Sequence, residues 1–250
     1  MKDDFYIGYQ DQSPPSLARS TRRLVVALAM IVAGITALVA ARQSPAEPGT
    51  FEFGVKRSFE GVLQENPLPM LRSVSPDGAV TNYLLVGAGK HGLPAFARGH
   101  DGQRVRFQGT VIQKGPGVLV ELNDPESFLV LGPSTAAENR AADKSIGEVV
   151  LTGELVDTKC YFGVMRPATG KVHRACAVRC LSGGVPPGLL VRDDQGGAVV
   201  VLLSGPNARP LRFDVAWAAR RVRAEGRLTW RGSFPCLEVV RLSLADSELP

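Results

Sequence analysis

The sequence is poor in the signatures that announce most chemistries. It has no Cys-x-x-Cys-His, which argues against covalently attached haem, and no Cys-x-x-Cys, which argues against thioredoxin-like exchange. The run Gly87-Ala88-Gly89-Lys90-His91-Gly92 lacks the spacing of a phosphate loop and a following helix, so it reads as a loop between strands. No nucleophile stands at a recognisable spacing from a base, and no paired acid and base marks a hydrolase. Catalysis is therefore not the expectation. Histidine is scarce, with three residues; His91 and His100 sit in glycine-rich loops without an evident partner. Cysteine is scarce as well, with four residues: Cys160, Cys176, Cys180 and Cys236.

What is plentiful near the N-terminus is apolar sequence. Leu24 to Ala41 carries no charge, and its eighteen residues at about 1.5 Å each reach roughly 27 Å, enough to cross a bilayer core. Arg19, Arg22 and Arg23 crowd its start while only Arg42 follows closely, which by the positive-inside rule puts the N-terminus in the cytoplasm. Val39-Ala40-Ala41 would serve as a signal-peptide cleavage site. However, the leading 23 residues are long and partly acidic, and the apolar run exceeds the usual ~7–15 residues of a signal core, so an uncleaved anchor is expected. The implied location is the bacterial inner membrane, single-pass, with the rest of the chain periplasmic. An even number of cysteines fits that oxidising side. The net charge of +5 would suggest nucleic acid in a cytosolic protein; outside the cytoplasm, lipid headgroups or an acidic protein partner are the better candidates, and no nucleic acid is expected.

The remainder contains an internal repeat. Arg104 to Val111, RVRFQGTV, matches Arg221 to Leu228, RVRAEGRL; YLLVG ending at Gly87 matches VLLSG ending at Gly205; FEGVL from Phe59 matches LTGEL from Leu151. Val118 to Leu122 and Leu237 to Leu242 close the two copies. Short alternating strands with glycines at bends predict an all-β fold with short helices. Five strands, with a helical piece before the fourth at Pro94 to Ala97 and Asp214 to Arg220, resemble the OB-fold, a small Greek-key barrel. The expected order is a cytoplasmic segment (1–23), a transmembrane helix (24–41), a linker (42–50), one OB-like domain (51–132), a polar linker (133–145) and a second OB-like domain (146–245).

The copies fall out of step at one place. Gly61 to Leu85 is 24 positions and Gly153 to Leu203 is 50, so the second copy holds an insertion after its first strand, within 156–191. Lys171 to Leu181 reads as a helix stopped by Ser182-Gly183-Gly184 and Pro186-Pro187. On it His173, Cys176 and Cys180 share one face, and Cys160, expected at the end of the preceding strand, can approach that face. These four make a Cys₃His set suited to tetrahedral zinc; with Met165 nearby as a further donor, they also suit Cu(I). A structural disulfide is the competing reading, with Cys160 bridged to Cys176 or Cys180, or with Cys236, on the last strand, bridged to Cys160. Trp217 and Trp230, amid Arg220, Arg221, Arg223, Arg227 and Arg231, have the composition of a single-strand-binding face, and the extracytoplasmic location argues against that use.

The block Lys159-Cys160-Tyr161-Phe162-Gly163-Val164-Met165, then Gly170-Lys171-Val172-His173-Arg174-Ala175-Cys176-Ala177-Val178-Arg179-Cys180, then Gly183-Gly184-Val185-Pro186-Pro187 resembles one shared by an uncharacterised family of bacterial membrane-anchored proteins. The resemblance implies that Cys160, His173, Cys176 and Cys180 act as a unit, leaves Cys236 outside it and brings no established activity. The expected function is that of a membrane-tethered accessory or assembly protein, or subunit, of a redox or metal system, with a protein partner in the membrane or periplasm. The alternative is an interaction module stabilised by disulfides.

Overall fold

The computed structural model describes residues 13–42, 49–75, 77–135 and 143–245. It divides into a helical unit, residues 1–47, and a β unit, residues 48–250. The helical unit is α1 (Pro15–Arg42), long and apolar enough to cross a membrane. It starts well before the apolar run because Pro15 sits well in a first turn and Ser16-Leu17-Ala18-Arg19 are tolerated or favoured in a helix. Helix formation follows backbone propensity, whereas the spanning length follows hydrophobicity. The expected cytoplasmic segment falls in residues 1–12, outside the described ones, and in the first turns of α1.

The β unit holds two barrels of the same topology. In the first, β2 (Arg57–Gln64), β3 (Met70–Val74), β4 (Val80–Gly87), β5 (Gln103–Lys114) and β6 (Gly117–Leu122) pair in the closed order β2-β3-β4-β6-β5-β2, with β4 and β6 parallel. Two short strands, β1 (Thr50–Phe51) and β7 (Leu129–Pro133), flank β5. In the second, β8 (Lys144–Asp157), β9 (Pro187–Arg192), β10 (Ala198–Ser204), β11 (Arg221–Arg231) and β12 (Phe234–Leu244) repeat that order, with β10 and β12 parallel. This is the OB-like arrangement of two five-stranded barrels. The helical piece before each fourth strand is a single 3-10 turn, Ala95–Ala97 and Val215–Trp217.

The repeated residues explain the closure. Along β5 and β11, Val105, Phe107, Val222 and Ala224 point inward and are buried, while Arg106, Arg221 and Arg223 point to solvent, the period-two pattern of a half-buried strand. Gly61 and Gly153, the matched glycines of the first strands, each face a carbonyl of the second strand, Arg72 O and Leu190 O, so closely that no Cβ fits. The two barrels therefore turn the same corner at the same residue.

Each barrel has its own interior, built on Phe59, Leu85 and Phe107 in the first and on Leu155, Val222 and Leu237 in the second. A third core lies between them. Met70, Leu84, Ile112 and Leu119 on the outside of the first barrel meet Leu190, Val200, Leu202 and Phe234 on the outside of the second, with Tyr161 and Phe162 wedged in. This accounts for the unbroken apolar runs in β4 and β10: strands buried on both faces lose their alternation. The rings of Phe162 and Phe234 meet edge to face at 6.0 Å. Asp143 adds a charged tie, 3.3 Å from Arg72 of the first barrel and 3.3 Å from Arg231 of the second.

Three expectations change here. The barrels share a core, and β8 begins at Lys144, inside the expected linker, whose residues 136–142 lie outside the described ones, as do 43–48 of the earlier linker. The insertion is residues 158–186, because Pro187–Arg192 is the barrel's own second strand, too unlike Met70–Val74 to register as a repeat. Cys160 sits on a helical turn, not at a strand end.

Phe162→Ala should lower stability by about 3–5 kcal/mol in denaturant unfolding of the full chain in detergent. Val240→Ala, at a side chain 77% exposed, should change it by less than about 0.5 kcal/mol.

Candidate metal centre at the barrel junction

The insertion forms two helices, α2 (Thr158–Phe162) and α3 (Gly170–Ser182). Asp157, the last residue of β8, caps α2: its Oδ1 accepts from the Cys160 N–H at 2.8 Å. Its Oδ2 accepts from His173 Nε2 of α3 at 2.9 Å. One carboxylate thus fixes both cysteine-bearing helices, and both members of the pair are buried. Burial pushes the Asp157 carboxyl up, but the bonds from His173 and the Cys160 N–H outweigh it and hold the group below the ordinary carboxylate value.

Lys159, one residue before the site cysteine, points into the first barrel. Its buried ammonium donates to Gly87 O at 2.6 Å and Gly89 O at 2.7 Å and pairs with Glu121 of β6. The glycine-rich run 87–92 is the partner of this lysine and of the end of α3. Gly92 N–H donates to Gly183 O at 2.9 Å, and a Cβ on Gly183 would run into Lys90 O. The Gly-Gly after the helix is needed for that close approach.

The sulfurs collect where these contacts converge. Cys160 Sγ lies 3.8 Å from Cys176 Sγ and 3.8 Å from Cys180 Sγ. The contact with Cys180, together with burial, pushes the Cys160 thiol up, and the contact with Cys160 pulls the Cys180 thiol down. Lys90, from the first barrel, donates to Cys176 Sγ at 2.7 Å, and that bond raises the lysine pKa. Cys160, Cys180 and Lys90 open on a cavity of about 380 Å³, whose wall includes Phe51, Phe53 and Met165.

The four residues of the expected ligand set therefore divide. Cys160, Cys176 and Cys180 form one group that could hold a metal ion; Asp157, Cys160 and His173 form a second, sharing Cys160. His173 is turned to Asp157, and a ring nitrogen still lies within 4.8 Å of Cys160 Sγ. Met165 stands at the cavity wall. Cys236 stands apart from both groups, its Sγ directed at Phe234 O at 3.7 Å, and burial pushes its thiol up to about 12. All four thiols are free.

Sequence reasoning missed Asp157, Lys90, Lys159 and Glu121. Asp157 precedes a helical turn in the position that N-caps favour, which was a usable signal; the other three are joined only by the docking of the barrels. Trp217 packs on the second barrel's interior, Trp230 is 38% exposed, and Arg223, Arg227 and Arg231 each pair with a carboxylate.

No family model matches this chain, and no curated protein matches it in sequence. Among solved structures, a deletion mutant of the single-stranded DNA binding protein from Thermus aquaticus aligns over 82% of this chain and 98% of that one, at 13% identity and a TM-score of 0.23. A superposition that loose carries no argument about what this chain binds.

Lys159→Met strands the Glu121 carboxylate in a buried place and should cost roughly 3–5 kcal/mol of stability. Adding Glu121→Leu should recover much of the loss in a double-mutant cycle. Under iodoacetamide at neutral pH without metal, mass spectrometry should find the partly exposed Cys176 alkylated well before the buried Cys236, whose thiol burial keeps protonated and so unreactive.

Proposed function

We propose that this protein is a membrane-tethered accessory or assembly protein, or subunit, of an extracytoplasmic metal or redox system, and that Cys160, Cys176 and Cys180 hold its metal ion. The observation that carries the reading is the spacing of the sulfurs. Around a tetrahedral ion with metal–sulfur bonds of about 2.3 Å, the edge between two sulfurs is about 3.8 Å. Both edges from Cys160 have that length. A disulfide needs about 2.05 Å, so bridging would draw two sulfurs together and leave the third thiol unpaired.

Three thiolates are soft donors, which favours zinc or Cu(I). His173 serves the site from behind, by holding Asp157 and through it the turn that presents Cys160. The remaining coordination position would face the cavity, where Met165 or a donor from a protein partner could enter. The arginines ahead of the apolar stretch of α1 support an N-terminus in the cytoplasm and a β unit on the periplasmic side of the inner membrane. The resemblance of the 159–187 block to one in bacterial membrane-anchored proteins agrees with the same assignment, and an extracytoplasmic β unit favours a protein partner over nucleic acid.

The test is elemental analysis and thiol counting on the full chain, purified in detergent without affinity metals. One zinc or copper ion per chain is expected, abolished in Cys176→Ser. His173→Gln should weaken binding by roughly 10- to 100-fold and leave the stoichiometry at saturation unchanged. Substoichiometric metal together with no free thiols would sink the metal reading and favour a disulfide-stabilised interaction module.

A further inference from the structure

The thiol cluster belongs to the second barrel, yet its nearest charged neighbour comes from the first. Lys90 Nζ is 2.7 Å from Cys176 Sγ. The loop that carries it is pinned on both sides, by Lys159 Nζ on Gly89 O and by Gly92 N–H on Gly183 O. The ammonium is thus held in place by backbone contacts and not only by its own flexible chain. Among the described residues no carboxylate pairs with Lys90. The other cation of the cavity wall, Lys159, is neutralised by Glu121, and Asp157 accepts a hydrogen bond from His173.

This arrangement leaves one charge to account for. Three thiolates around a divalent ion carry a net charge of minus one, in a partly buried place where an unbalanced charge is costly. We propose that Lys90 is the charge-compensating residue of the metal centre, contributed across the barrel junction, and that it sets the affinity of the three thiolates for a soft divalent cation. The inference rests on the metal reading above. It makes the junction a working part of the site, since separating the barrels would remove the cation along with the packing.

Cadmium is the probe, because its sulfur-to-metal charge-transfer band in the ultraviolet counts bound thiolates. The full chain in detergent is titrated as wild type, Lys90→Met and Lys90→Arg. Lys90→Met should weaken cadmium binding by about tenfold, and Lys90→Arg should stay within about twofold of wild type, with the same band intensity at saturation in all three. The melting temperatures of the three metal-free proteins should agree, since the side chain is exposed. Equal affinity of Lys90→Met and wild type would overturn the assignment, as would an arginine variant as weak as the methionine one. A lowered metal-free melting temperature in Lys90→Met with unchanged affinity would show a structural role instead. Failure of the wild type to give the band at all would remove the metal reading itself.

Discussion

The buried ammonium of Lys159 is the constraint on which the junction turns. An ammonium removed from water must find acceptors, and Lys159 finds three in the first barrel: Gly87 O, Gly89 O and the Glu121 carboxylate. It reaches them from a helical turn of the second barrel, and the next residue in the chain is Cys160. Placing the lysine therefore places the cysteine. The same contacts draw the loop 88–92 against the end of α3, which brings Lys90 onto Cys176. Packing of Phe162 and Tyr161 into the shared core fixes the other side of the turn.

Around that anchor the electrostatics are divided by pairing. Asp157 is satisfied by a backbone N–H and by His173, so its carboxylate stays ionised in a buried place and ties α2 to α3. Glu154, three residues before Asp157 in β8, accepts from the N–H of Gly170 at the start of α3, and burial pushes its carboxyl up. What remains unbalanced is the set of three sulfurs, with one ammonium beside them. Three soft donors next to a cavity, with that ammonium beside them, could hold a metal ion.

Much of this was legible in the chain. The repeat of RVRFQG and RVRAEG, the glycines of FEG and LTG, and the extra length after the second copy's first strand identified two OB-like barrels and an insertion, because strand alternation and bend glycines are local signals. The helix over Lys171 to Leu181 and its Gly-Gly stop were legible for the same reason. The second strands were not, since Met70–Val74 and Pro187–Arg192 share no pattern. The role of His173 was not, since helical spacing puts it on the same face as the cysteines but does not say which neighbour its ring will meet.

The apolar helix near the N-terminus, the barrel class and the gathering of three cysteines and a histidine into one inserted segment could be read from the chain alone, because each depends on residues close along it. Folding was needed to show that the barrels share a third core, that His173 turns to Asp157, and that a glycine-rich loop of the first barrel supplies Lys90. The contacts of Lys90 and Lys159 join residues 86 and 72 positions apart, and even His173 and Asp157, 16 apart, meet only once α3 packs on β8, so local pattern carries no record of these pairings.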